Sequence, residues 1–408
     1  MTGLVDRLLR SRNRFPPVVN RAIDYVADHP MGLLGQLAAR RLGHSVDVPE
    51  LSTVDSRAIR VLIAPVNYSN KGRMWARSLE RSDSRIAARN MTVDVPGGFS
   101  FAADLIVSVP AYHNSKEWQS AQLAAVELFS HVLIEAEEPL FGRLFGRDVM
   151  AESRALITAG VDVAFIAHGT DVRLPSRHAA STPWSPYLDP DMYVARLERR
   201  AQEHINLLSE SGRPVFVSTP DLLADLPNAS WCPVVIDPSE WTCPLPAAQS
   251  SRPLRVVHAP SSPTIKGTHL IEPILRRLVE QGTIEYIPVV GVASSRMPEI
   301  VRDADVVLDQ FRLGSYGVAA CEAMAAGRTV IGHVLEHVRE HVFQATGLSL
   351  PIVDASPASL ETVLQVIAAD RSLLRATGQA GIAFVSAVHD GRRSAAVLKA
   401  GWLDLHST

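Results

Sequence analysis

From residue 59 onward, short β-branched apolar runs alternate with segments whose apolar residues recur every three or four positions. The runs at 59–65, 104–109, 131–134, 161–167 and 215–218 read as strands. Between them, the segment carrying Trp75, Ala76 and Leu79 and the stretches 119–129, 149–158 and 193–209 read as helices. A short helix opens at Thr219-Pro220-Asp221, with Thr219 as cap and Pro220 at the first helical position. The alternation restarts with strands at 254–259, 284–290, 304–308 and 329–331. Their helices lie at 297–302 and about 317–326, with another bearing Leu270, Ile271, Ile274, Leu275 and Leu278. Pro273 implies that this last helix begins late, at Glu272. The tail 360–402 is helical throughout. Strand and helix in strict alternation imply parallel sheets, so the fold class is α/β.

The length exceeds what one hydrophobic core usually serves. The segment 242–253 is rich in Pro, Ser and Ala and has no period, so it reads as a linker. The expected organisation is an N-terminal helical extension at 1–54, a first α/β domain at 55–241, the linker at 242–253 and a second α/β domain at 254–390. A C-terminal helix at 391–408 would pack back on the first domain. In the extension, Ile23, Val26, Leu33, Leu34, Leu37 and Leu42 stand among Arg21, Arg40 and Arg41. This apolar face serves either packing on the domain behind it or contact with an anionic membrane surface.

Forty Lys and Arg against 43 Asp and Glu give a net charge of −3, with no global basic excess to suggest a nucleic-acid partner. The three cysteines, Cys232, Cys243 and Cys321, form no CxxC pair, which argues against a disulfide framework or a zinc site and fits a cytoplasmic setting. No run of eighteen uncharged apolar residues and no signal-peptide pattern occurs.

The densest candidate chemistry lies at 309–327, a glycine loop running into an apolar helix. Gly314 and Gly317 let backbone approach an anion at the helix start. Asp309, Gln310, Ser315 and Tyr316 belong to the same loop. Glu322 sits inside the helix, where an acid needs a partner, either a ligand hydroxyl pair or a structural donor. A second loop, 258–268, brings Lys266, Ser261, Ser262 and Thr268 to the carboxyl edge of a strand, where open parallel sheets bind ligands. In the first half, His168 and Asp171 of the segment HGTD stand at a strand end, an imidazole and a carboxylate on one rim. Asn67, Asn70, Lys71 and Arg73 follow the first strand and either bind an acceptor or form a solvated turn. Asp189-Pro190-Asp191 reads as a helix-capping pattern rather than a metal site.

These segments resemble the family 4 (group 1) glycosyltransferases of the bacterial polysaccharide and natural-product type. The likeness is carried by HAPS then KGT at 258–267, ADVVLDQ and GSYGVAACEAMAAG at 304–327, and HGTD at 168–171. The resemblance implies the GT-B fold, two Rossmann-like domains facing across a cleft, and a cytoplasmic enzyme. Its expected reaction is retaining, metal-independent transfer of a sugar from a nucleotide diphosphate sugar to a hydroxyl on a glycan, lipid or natural product, with no cofactor. It implies further that Glu322 binds the ribose, that Lys266 holds the diphosphate and that Ser315 to Gly317 cover it, with His168 beside the transferred sugar. Gly314 stands where the family carries the first of two acids, so that contact is lost or moved to Asp309 or Gln310. Other readings on the same plan are a nucleotide-sugar epimerase and a catalytically silent partner protein. Contact with the inner membrane surface through 1–54 is a further expectation.

Overall fold

The structure is a computed structural model, and it describes residues 15–28, 31–40, 43, 49–95, 101–190, 192–247 and 250–403. Two sheets account for the strands. The first runs β3-β2-β1-β4-β5-β6-β7, with β1 Ile59–Ala64, β2 Ile86–Asp94, β3 Leu105–Ser108, β4 His131–Glu135, β5 Asp162–Ala167, β6 Val215–Val217 and β7 Ser230–Trp231. The second runs β12-β11-β10-β8-β9, with β8 Leu254–His258, β9 Ile284–Pro288, β10 Val306–Leu308, β11 Thr329–Gly332 and β12 Ile352–Asp354. Every pairing is parallel. Burial on both faces explains why the interiors of β4, β5 and β10 read as continuous apolar runs.

Strand order reverses between β1 and β4 in the first sheet and between β8 and β10 in the second. At such points the loops leave on opposite sides and open a crevice at the carboxyl ends. The sequence leads into these crevices at Asn67 and Glu135 in the first sheet, and at Lys266 and Asp309 in the second.

Three expectations change. The helix expected to start at Glu272 begins at Thr268 and runs through Pro273 to Glu280. One missing backbone donor is tolerated because Ile271, Leu275 and Leu278 bury the helix against the sheet. Thr219 makes no side-chain capping bond to the single 3-10 turn Pro220–Ala224. Asp189 does not cap the helix Val194–Glu210, which begins after Tyr193 without a side-chain cap; instead it lies 3.3 Å from Arg312 of the second half. Asp191 lies outside the described residues. The helix Arg392–Gly401 packs on the helix Lys71–Ser82 of the first sheet, and Trp402 is buried with Val61, Trp75 and Phe216.

Candidate active site between the two sheets

A cleft of about 410 Å³ lies between the two sheets' carboxyl edges. One wall comes from the second sheet. Pro263–Lys266 forms one helical turn after β8, ending at Gly267, whose positive φ of +83° lets the chain turn directly into the next helix. That turn delivers the Lys266 ammonium to the carboxylate of Asp309, just beyond β10. The helix Val318–Ala325 starts after Gly317 without a side-chain cap, and Val318 and Ala319 line the cleft. First-turn N–H groups at such a start are available to an anion. A side chain added at Gly317 would meet open space.

Glu322 lies one turn into this helix and also lines the cleft. Among the described residues its carboxyl group makes no hydrogen bond. Burial, and then the charge of Glu240, push its pKa up to about 7. A half-buried acid that lines a cleft with no protein donor is free to accept a ligand's hydrogen bonds. Ser261 is exposed at the cleft mouth.

The opposite wall is built on β1, β4 and β5. Glu135, the last residue of β4, is fully buried and accepts the backbone N–H groups of Val66 and Asn67 at 3.3 and 3.1 Å through Oε2. Its Oε1 lies 3.2 Å from Nε2 of His168, the residue after β5. Burial, then the nearby Lys71 charge, lower the His168 pKa. A neutral imidazole donating from Nε2 to Glu135 keeps its lone pair on Nδ1, which is buried without a partner among the described residues. The ring stacks on Trp75, with centroids 5.7 Å apart and planes 8° from parallel. Lys71 Nζ is buried 3.3 Å from Ser218 Oγ, and desolvation lowers its pKa to about 8. Among the described residues no carboxylate forms an ion pair with Lys71, so its charge is uncompensated at contact distance.

Neither a family profile nor a curated protein sequence matches the chain. Solved structures do. A sucrose-phosphate synthase from Thermosynechococcus elongatus superposes with a TM-score of 0.53 at 13% identity, over 86% of this chain and all of that one. HepE of Anabaena in complex with UDP and glucose gives 0.53 at 8% identity, over 85% and 100%. WaaG, a glycosyltransferase involved in lipopolysaccharide biosynthesis, gives 0.50 at 11%, over 84% and 100%. The chain has the GT-B fold.

Several residues expected in the GT-B cleft do other work. Asp171 faces its own loop, accepting the backbone N–H of His168 at 2.6 Å and that of Gly169; it shapes the rim instead of presenting a carboxylate to the cleft. Gln310 lines the cleft, with its side-chain amide engaged on loop backbone, donating to the Ser315 carbonyl and accepting from Leu313 N at 2.7 Å. Tyr316 borders the cleft, but its hydroxyl lies 3.3 Å from His389 Nε2. Ser315 Oγ donates at 2.5 Å to Asp221 of the first half. Gly314 has φ +69°, and a Cβ there would fall 2.3 Å from Leu335. An acid at that position would meet both a strained backbone conformation and the Leu335 side chain, and Asp309 is already held by Lys266. Asn67, Asn70 and Arg73 do not line the cleft. The Asn67 side chain bonds Ala102 O and Arg73 N, and Asn67 borders a side pocket of about 290 Å³. Of those four candidates only Lys71 reaches the GT-B cleft.

Glu135 is absent from the sequence candidates. Its available signal is an acid at the carboxyl end of an apolar strand, in the run Glu135-Ala136-Glu137-Glu138. Arg312 is absent too. Its guanidinium crosses the interface to Trp184 O at 3.0 Å and Ser185 O at 2.9 Å. Nearby, His178 Nε2 lies 3.0 Å from Leu313 O, and Arg173 and Asp221 form a buried ion pair. The segment 312–315 thus bridges the two halves along one edge of the cleft.

Proposed function

We propose that this protein is a retaining glycosyltransferase that moves a sugar from a nucleoside diphosphate donor to a hydroxyl acceptor without a metal. The observation that carries the reading is the pairing, on one wall, of an unpartnered half-buried acid with a lysine and an uncapped helix start. Glu322 suits a ribose diol, while Lys266 and the N–H groups at 318–320 suit the diphosphate behind it. The neighbours solved with UDP and glucose, and those named as glycosyltransferases, support the same substrate class. During transfer the bond from anomeric carbon to diphosphate oxygen breaks, and its electron pair leaves with the diphosphate. The acceptor oxygen bonds the anomeric carbon and gives its proton to the departing phosphate. Lys266 and the helix dipole stabilise the developing charge. His168 Nδ1 accepts a sugar hydroxyl, held in that tautomer by Glu135. Lys71 gives the acceptor side a positive field.

The test is a turnover screen with uridine, guanosine and thymidine diphosphate sugars, with and without hydroxyl acceptors, beside calorimetry with the free diphosphates. One base should bind, and its sugar donor should turn over faster with acceptor. No binding by any of the three would sink the reading.

Glu322 gives a second expectation. Its folded pKa of about 7 exceeds the ordinary 4.5, so the stability held by the protonated form is lost as pH rises from about 4.5 through 7. Above that window the ionised acid costs about 3 kcal/mol. Glu322→Gln should therefore melt higher than the parent at pH 8 and equally at pH 4.5, while binding the nucleotide about tenfold more weakly. A variant less stable than the parent at pH 8 contradicts the assignment.

A further inference from the structure

The two N-terminal helices hold apolar side chains towards solvent, and the first turns polar residues onto the body. In Pro17–Asp28, Asn20 and Asp24, one turn apart, are each only 5% exposed. Tyr193 Oη donates to Asp24 Oδ2 at 2.8 Å, and Arg196 and Arg199 come within 4.0 Å of the same carboxylate. On the far side of that helix Val18 is 73% and Tyr25 61% exposed, with exposed Arg21 beside them. Helix Leu33–Arg40 also turns apolar side chains outward: Leu33 and Leu37, one turn apart, are 83% and 55% exposed. Helices of the main body do the opposite. Lys71–Ser82 buries Trp75, Ala76 and Leu79, and Thr268–Glu280 buries Ile271, Leu275 and Leu278. Apolar side chains held towards water one turn apart on two successive helices form a surface suited to an apolar or interfacial neighbour.

Charge identifies that neighbour. Residues 1–41 carry seven arginines against three aspartates, in a chain whose net charge is −3. One of those aspartates, Asp24, is turned inward onto arginines. The segment is therefore cationic where the rest is anionic, and exposed Arg21 stands among the outward apolar side chains. At 12 and 8 residues the two helices are too short to cross a bilayer, so they would lie along its surface.

We propose that the outward face of Pro17–Asp28 and Leu33–Arg40 docks the protein on an anionic lipid bilayer. Apolar side chains enter the interfacial zone, and Arg21 beside them meets the headgroups. This contact is independent of the activity proposed above.

The test is vesicle co-sedimentation of the full chain without nucleotide, so its failure leaves the transferase reading untouched. Vesicles of phosphatidylcholine with about one-third phosphatidylglycerol should bind at least about tenfold more strongly than pure phosphatidylcholine, and the binding should weaken with salt. The triple variant Val18→Ser, Leu33→Ser, Leu37→Ser should lose about tenfold or more of that partitioning with an unchanged melting curve, because all three side chains already face solvent. Arg21→Glu and deletion of residues 1–14 should each weaken it severalfold. Unchanged binding by the triple variant, or equal binding to neutral vesicles, overturns the proposal. So does stronger binding after the deletion, which would make residues 1–14 the cover of this face. A parent that sediments as a dimer while the triple variant is a monomer also overturns it, naming a second copy as the occupant.

Discussion

Lys266→Met is expected to lower donor turnover by about a hundredfold or more and to destabilise the protein at the same time. The two effects have separate causes. Turnover falls because the developing diphosphate charge loses its cation. Stability falls because Asp309, buried beyond β10, loses the ammonium that compensates it. Breaking such a pair from one side costs about 2–4 kcal/mol, whereas removing both charges costs far less. The double variant Lys266→Met, Asp309→Asn should therefore regain most of the lost stability in urea unfolding while turnover stays low. Recovery of turnover together with stability would mean that Lys266 serves only the fold. On the proposed reading, a donor diphosphate would draw Lys266 away from Asp309 or share it.

Asp221→Ala should produce the largest stability loss away from the second sheet. Its carboxylate compensates the buried Arg173 guanidinium and also accepts the Ser315 hydroxyl from the other half of the molecule. The Arg173 charge holds its pKa below the usual carboxylate value despite burial, with Ser315 adding to the effect. Without it, a cation is left in a dry interface, at a cost of about 3–5 kcal/mol. Arg173→Met combined with Asp221→Leu should lose much less. Urea unfolding measures both, and a loss below about 1 kcal/mol for Asp221→Ala would place the pair in a wetter setting than its burial indicates.

Some strands are easy to read in the sequence, and others are hidden for physical reasons. Val256-Val257-His258 and Val306-Val307-Leu308 belong to central parallel strands covered on both faces, so they show as unbroken apolar runs. Strand β2 does not show, because Arg89 and Asn90 interrupt it. Those residues are held largely by groups from outside the strand: Glu80 accepts from Arg89, and Asn90 exchanges bonds with Asp104. At the site, Lys266 and Glu322 are legible because an anion-binding loop and a lone acid in an apolar helix are local patterns. Glu135, Arg312 and Asp221 are not, since their partners lie 33, 127 and 94 positions away. Asp171 and Gln310 have suitable chemistry in the right loops, yet their side chains close on nearby backbone. Local pattern places a residue on a rim but does not decide whether it turns towards the ligand or towards its own loop.

The last helix has a consequence for biosynthesis. Ala395, Leu398 and Trp402 complete a cluster with Val61, Ile63, Trp75 and Phe216, and Trp402 Nε1 donates to Asp162 at 3.1 Å. The first sheet's own strands end at Trp231, so roughly 170 residues must still be translated before this face is covered, about 10–30 s at ordinary elongation rates. During that interval the nascent first half exposes an apolar surface that only the end of the same chain can close. Premature termination anywhere in the second half therefore damages the first.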